Sequence, residues 1–279
     1  MIKNNIDLHT VAGFGDEWER FDQSELDSKE AQRLFDLYFS VFPWDIISDK
    51  AVGFDMGCGS GRWARFVAPL VGRLLCVDPS SALEIAKRNL AEHDNCEFHL
   101  ASVDDMSIND RSMDFGYSLG VLHHIPDTQA AMSACVKKLK AGAPFLVYLY
   151  YAFDNRSIWY RAIWRVSEVL RYGISRSPHK IRYVISQLFA GAVYLPLARL
   201  ALLFDKAGFD VRNFPLSSYR NLSFYTMRTD ALDRFGTRLE QRFTRVEIKD
   251  MMKNSGLENI KFSSEVPYWC AVGYCTHSE

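Results

Sequence analysis

Two hydrophobic periods organise the chain. Between 26 and 42, apolar residues at 34, 35, 37, 38, 41 and 42 make a helical stripe, ended by Pro43. Short apolar runs then predict five strands, at 51–56, 74–77, 96–100, 113–119 and 145–151. Helices are expected between them over 62–70, from a cap at Ser80 or Ser81 to about 90, and over 129–139, closed by Gly142. Strands alternating with helices at this rhythm imply a parallel sheet covered on both faces. The rhythm changes near the end. A helix over 244–253 stops at Ser255-Gly256, and two strands, 260–266 and 269–276, are separated only by Pro267-Tyr268. So short a connection requires an antiparallel pair. The expected fold is α/β: a doubly wound, mostly parallel seven-stranded sheet ending in an antiparallel hairpin, with a helical insertion after strand five. The expected division is a Rossmann-like core with an N-terminal helical segment over 1–150, a mostly helical insertion over 151–243, and a return to the core over 244–279.

Composition narrows the possibilities. Over 279 residues, 33 Lys and Arg against 34 Asp and Glu give a net charge of −1, which argues against a chain-wide grip on DNA or RNA. With 48% hydrophobic residues, wholesale disorder is excluded. Six cysteines form no CxxC pair and no Cys/His cluster with zinc-ligand spacing, so no metal is expected and the thiols read as reduced, as in a cytoplasmic protein. The first residues lack the apolar stretch of a secretory signal. The charge is unevenly spread. Residues 151–222 carry eleven Arg and Lys against four Asp and Glu, a local +7, so the rest of the chain carries −8. Inside that segment, 184–204 is nearly all apolar and approaches the length of a membrane span, but Ser186, Gln187, Gly191, Pro196 and Arg199 dilute it. The expectation is a helix pair, with a peripheral membrane contact through 151–204 left open.

The strongest chemical signal is Asp55-Met56-Gly57-Cys58-Gly59-Ser60-Gly61, between an expected strand and an expected helix. Glycines let the backbone turn sharply and approach a ligand closely, and a helix start offers free N–H groups and a positive dipole end. Asp78 stands at the end of the next strand, where a carboxylate accepts hydrogen bonds from ribose hydroxyls. The loop spacing is GxGxG, with Arg62 where a dinucleotide site has its third Gly, and no Tyr-x-x-x-Lys pair follows strand four. Both features count against a nicotinamide-dependent oxidoreductase.

On these residues the chain resembles the class I S-adenosylmethionine-dependent methyltransferases of the small-molecule group, strongly over about 50–150. The resemblance implies S-adenosyl-L-methionine as cofactor. Asp55, Gly57, Cys58, Gly59 and Gly61 would hold its methionine end, and Asp78 with Pro79 its ribose. Ala101-Ser102-Val103-Asp104-Asp105-Met106 resembles the family's adenine segment, which leaves the adenine contact to Ser102 and Val103 or to Asp104. Tyr117 to Asp127 resembles the segment after strand four, so Ser118, Leu119 and Gly120 would touch the cofactor. Phe14 to Phe21 resembles a segment that folds back over the cofactor in some of these enzymes, and also suits a simple aromatic staple.

Methyl transfer needs an aligned, desolvated and deprotonated nucleophile. His123 and His124, after strand four, are the candidate general bases, with a structural role as the competing reading. Tyr148 and Tyr150 share one face of strand five and would shape an acceptor pocket or fill the core. Tyr219, Arg220, Tyr225 and Arg228 are weaker acceptor candidates, since Arg grips phosphate or carboxylate by paired bonds. The Arg/Asp pattern over 222–243, including Glu240 and Arg242, reads as a solvated, ion-paired helical face. The expected activity is methylation of a small or medium acceptor, anionic or lipid-linked. A catalytically silent cofactor-binding scaffold or membrane-surface adaptor is the alternative.

Overall fold

A computed structural model describes residues 5–276. The ends of the first and last expected segments, 1–4 and 277–279, lie outside the described residues. The chain divides into two compact units, one of residues 1–22, 32–152 and 239–279, the other of 23–31 and 153–238. Residues 239–243, read as part of the insertion, therefore belong with the core.

The core unit holds a seven-stranded sheet ordered β3-β2-β1-β4-β5-β7-β6. The strands are β1 (Val52–Met56), β2 (Arg73–Asp78), β3 (Cys96–Leu100), β4 (Phe115–Leu119), β5 (Pro144–Tyr148), β6 (Leu257–Phe262) and β7 (Cys270–Cys275). The first five are parallel, and β7 runs antiparallel to both β5 and β6. This is the topology the hydrophobic pattern implies. Strand order reverses beside β1, between β2 and β4, so a crevice opens at the carboxyl ends of β1 and β4.

Period-2 alternation explains the packing. Phe54 and Met56 of β1 face a core shared with Met132, Cys135 and Val136 of α5 (Thr128–Val136) and Ile248 and Met252 of α10 (Arg245–Asn254). Gly53 and Asp55 face the other way. There Phe115 and Tyr117 of β4 meet Phe42 and Phe39, which follow α2 (Ser28–Tyr38). Gly53 pairs with Phe115 and Phe54 with Gly116. Each ring lies over the neighbouring strand's glycine, so that a Cβ on Gly53 would stand 2.2 Å from Phe115 and one on Gly116 2.4 Å from Phe54.

Several boundaries differ from expectation for local reasons. The helix expected over 62–70 splits into α3 (Ala64–Val67) and a 3-10 turn, Ala68–Leu70, because Pro69 supplies no N–H. The C-terminal strands shift because Gly256, at φ +87°, turns the chain after α10 and lets β6 begin at once. Helix α1 (Leu8–Arg20), not expected as a helix, is capped by Asp7, whose carboxylate accepts the Thr10 N–H at 2.7 Å. Helix α4 (Ala82–Asn89) follows the turn at Pro79.

The second unit is helical: α6 (Ile158–Ile174), α7 (His179–Phe189), α8 (Leu195–Lys206) and α9 (Phe224–Gly236). The expected helix pair over 184–204 is instead one continuous helix, His179–Lys206, in which a π turn at Ala190–Tyr194 joins α7 to α8. The widened turn precedes Pro196, which cannot donate to the ladder. Ala190, Tyr194 and Ala198 pack on Met227, Ala231 and Phe235 of α9. Two arginines of the expected basic surface are buried here. Arg171 donates to the Thr237 carbonyl at 2.8 Å and Arg182 to the Gly236 carbonyl at 2.6 Å, closing the negative end of α9.

Candidate active site

The loop after β1 is shaped by three glycines with positive φ: Gly57 at +79°, Gly59 at +53° and Gly61 at +77°. Each is also sterically closed to a side chain. A Cβ would meet the Val121 methyls at 2.4 Å from Gly57, the Trp18 indole at 2.9 Å from Gly59 and Leu90 at 2.9 Å from Gly61. Asp78 fixes the loop from β2. One carboxylate oxygen accepts the Gly59 N–H at 2.9 Å; the other accepts the Ser80 N–H at 2.8 Å and the Ser80 hydroxyl at 2.6 Å. Burial raises the Asp78 pKa, and these bonds from Ser80 and Gly59 pull against it.

Asp55 sits beneath the loop, fully buried, with neither carboxylate oxygen hydrogen-bonded. Burial pushes its pKa well above the usual carboxylate value. The Tyr117 hydroxyl opposes this from the paired position on β4, without closing a geometric hydrogen bond. A buried acid lacking protein donors is costly, and it suits a site whose donors come from a ligand. Cys58 is buried beside Cys76. A thiol–thiol bond lowers its pKa, but burial and the Asp78 and Asp55 charges outweigh it and push the pKa up to about 11, so the thiol stays protonated.

The remaining cofactor candidates are placed unequally. Gly120, at φ +79°, faces open space where a Cβ would stand, beside the buried Leu119. Pro79 is half-buried in the turn that leads from Asp78 to Ser80. The Ser118 hydroxyl is fully buried and donates to the Met56 carbonyl at 2.8 Å, joining β4 to β1. The Val103 side chain fills the core. The Ser102 hydroxyl donates to Asp105 at 3.2 Å, and Asp104 accepts the Asn5 backbone N–H at 2.8 Å. Asn5 also exchanges two hydrogen bonds with Asp127, so the N-terminal segment ties the loop after β3 to the loop after β4.

Helix α1 lies across the site. Its Phe14 ring meets His124 at 4.9 Å, Gly15 is in contact with Ser81, and Trp18 covers Gly59. The segment from Phe14 to Phe21 is thus a cover on the glycine loop.

A second cluster follows β4 and β5. His123 is fully buried, its ring 3.9 Å from both His124 and Tyr150. Burial, then His124 and Arg242, hold its pKa well below the imidazole range, so it is neutral. His124 shares a 2.7 Å bond between Nδ1 and the Leu239 carbonyl, which requires the proton on Nδ1. Tyr148 and Tyr150 stand 5.8 Å apart, and Tyr38 closes on Tyr148 at 5.1 Å. Arg242 lies 5.0 Å from the Tyr150 ring and pairs with Glu240 at 2.8 Å. Their side chains are 13% and 1% exposed, so the solvated face expected there is a buried ion pair. Sequence reasoning missed these two because it applied helical spacing to an extended segment. Leu239, Gln241 and Phe243 alternate with them at period 2.

Tyr219, Arg220, Tyr225 and Arg228 lie in the helical unit, each with a partner there. Tyr219 packs on Tyr194, Arg220 pairs with Asp205 at 3.0 Å, and the Tyr225 hydroxyl accepts the Gln23 N–H at 2.9 Å. Arg228 donates to Gln187 at 2.7 Å and to the Tyr183 hydroxyl at 3.1 Å. These contacts hold the unit together. Among the described residues, no His, Cys, Asp and Glu group could hold a metal ion.

A parallel sheet with a glycine loop and a strand-end acid at its switch point defines a Rossmann-like nucleoside-cofactor site. Residues 54–147 match the family model of a methyltransferase domain. No curated protein matches the sequence. Solved structures share the fold at low identity. A Thermotoga maritima S-adenosylmethionine-dependent methyltransferase, named as a possible histamine N-methyltransferase, is 13% identical; the match covers 95% of this chain and 100% of that one, with a TM-score of 0.51. An O-methyltransferase family protein from Burkholderia thailandensis is 12% identical, covering 94% and 60%, with a TM-score of 0.55. The CurJ carbon methyltransferase is 11% identical, covering 98% and 62%, also at 0.55. Residues 54–147 are thus a methyltransferase domain, set in a Rossmann-like fold that this chain shares with S-adenosylmethionine-dependent methyltransferases.

Proposed function

We propose that this enzyme methylates a small or medium anionic acceptor, free or lipid-linked, with His124 as the general base. Bound S-adenosylmethionine supplies an electrophilic methyl group on a sulfonium sulfur. The orphaned Asp55 carboxylate, the side-chain-free loop at Gly57, Gly59 and Gly61, and Asp78 fit such a group. Asp55 and the loop would hold its methionine end, and the free lone pairs of Asp78 its ribose. Gly120 leaves room beside it.

The observation that carries the base assignment is the bond from His124 Nδ1–H to the Leu239 carbonyl. It fixes ring and tautomer together, so Nε2 would be the nitrogen that takes the acceptor's proton. His123 and Tyr150 pack around His124 and exclude water. An anionic acceptor is supported by Arg242, whose guanidinium lies over the Tyr150 ring in this cluster. Neighbours of this fold are named for nitrogen, oxygen and carbon methylation, so the fold leaves the acceptor atom to the pocket.

The test is transfer of labelled methyl from S-adenosylmethionine into a fractionated cell extract, with His124→Gln in parallel. Label retained on an anion exchanger, and lost with the variant, is expected. Label confined to neutral small molecules or to protein would overturn the acceptor class.

A further inference from the structure

We propose that the helical unit seats on an anionic lipid bilayer surface through the exposed apolar faces of α6 and the continuous helix α7–α8. Among the described residues, His179–Lys206 is the one helix long and apolar enough to cross a membrane, yet only 22% of its apolar window is buried. A core helix of that composition would be mostly covered. Here Ile181, Val184, Leu188, Pro196, Leu200 and Leu203 recur three, four or eight residues apart and are all exposed, with no charge within the stripe. At 1.5 Å per residue the stripe runs about 33 Å. Helix α6 repeats the pattern with exposed Ile158, Ile163, Val166 and Val169 beside exposed Trp159. Two apolar helical faces left open in one unit exceed the scattered exposure of an ordinary protein surface.

The same helix lies along a membrane rather than across it. Its other face is committed to α9 through Ala190, Tyr194 and Ala198. Arg182 is buried against the Gly236 carbonyl, and Arg199 donates to the carbonyls of Arg220 and Leu222. Withdrawing these into hydrocarbon would strip both guanidinium groups of their acceptors.

Charge selects the occupant. Arg161 and Arg165 are exposed beside the α6 stripe, and Arg176 and Lys180 are exposed around the start of α7. Basic side chains flanking an apolar helical face suit anionic headgroups above acyl chains. A second copy docked two-fold on this face would bring these exposed cations against their own counterparts. This inference is independent of the acceptor, because it concerns only the surface of the helical unit.

The test is flotation of the full chain with phosphatidylcholine vesicles and with vesicles containing about a third phosphatidylglycerol, chosen to carry the negative surface charge that basic segments sense. Strong binding to the anionic vesicles, weak binding to the neutral ones and release by high salt are expected. Leu188→Glu with Leu200→Glu should cut binding at least about tenfold. Its unfolding midpoint and its calorimetric affinity for S-adenosylhomocysteine should stay at wild-type values, since both side chains already face solvent. Arg161→Glu with Arg165→Glu should remove the preference for anionic lipid. No flotation of the wild-type chain would overturn the proposal, as would binding indifferent to the Leu variants. So would a dimer on size-exclusion chromatography that Leu188→Glu dissociates. Loss of cofactor affinity in His124→Gln would bear on the active-site reading alone.

Discussion

Replacing Asp78 by Asn tests whether one carboxylate both shapes the glycine loop and readies it for the cofactor. Its oxygens take three donors: Gly59 N–H on one side, and the Ser80 N–H and hydroxyl on the other. An amide has one acceptor oxygen. Ser80 supplies two donors, so the oxygen stays there and the NH2 group turns toward the Gly59 N–H, donor against donor. The loss is one bond to a charged group, worth about 1.5–3 kcal/mol, together with part of the roughly 1–3 kcal/mol cost of a buried unsatisfied donor. We expect about 2–4 kcal/mol in total. If the loop loosens in the free protein, the cost falls on binding, at about tenfold per 1.4 kcal/mol, and affinity for S-adenosylhomocysteine drops by a factor of roughly 30 to several hundred. If the loop holds its shape, the cost appears as a lower unfolding temperature, at about 2–4 °C per kcal/mol. Calorimetric titration and thermal unfolding on the same samples read both. Ser80→Ala is the internal control, because it removes the 2.6 Å hydroxyl bond to Asp78 and the 3.2 Å bond from the Ala82 N–H, and leaves the Gly59 bond intact. It should cost about 1 kcal/mol, with little change in affinity. The reasoning fails if Asp78→Asn binds within about threefold of wild type and melts within about a degree of it. It fails equally if Ser80→Ala matches Asp78→Asn.

Other outcomes are as specific. Burial raises the Asp55 pKa above its ordinary value of 3.8, so this group's contribution to stability is fully present below that pH and is lost as pH rises through the folded value. Asp55→Asn should therefore gain stability relative to wild type with increasing pH in unfolding curves, while binding cofactor more weakly; a gain that shrinks with pH would refute the burial argument. Gly116→Ala places a Cβ 2.4 Å from the Phe54 ring and should cost about 1–3 kcal/mol in denaturant unfolding. Phe54→Leu should recover part of that cost in the double variant, and strict additivity would deny the ring-over-glycine contact. His124→Gln should lower turnover about 10²- to 10⁴-fold with cofactor affinity unchanged, whereas His123→Phe, which keeps the stack on Tyr150, should lower it far less. Equal turnover in both variants would leave the enzyme without a histidine base.

The two halves of the site differed in legibility because different physics fixes them. The cofactor half is local. A period-2 strand, three glycines that must take positive φ and an acid at the next strand end fall within one strand–loop–helix–strand stretch, so their placement follows from local backbone preferences. Asp78 shows the limit even there. Its position was readable, but not its grip on the Gly59 N–H, which depends on how closely two loops approach. The bond from the Ser118 hydroxyl to the Met56 carbonyl is of the same kind, since it depends on how β4 meets β1. The proposed acceptor half is assembled from remote pieces. Gln241 N–H donates to the His123 carbonyl and Phe243 N–H to the Tyr150 carbonyl, so the extended segment at 239–243 is laid beside the loops after β4 and β5 by backbone bonds no sequence period announces. Once it is there, Leu239 supplies the carbonyl that sets the His124 tautomer, and Glu240 and Arg242 are buried as a pair. The charges that looked most like solvated surface therefore lie beside the histidines, and an acceptor entering this cluster would meet Arg242 against the Tyr150 ring.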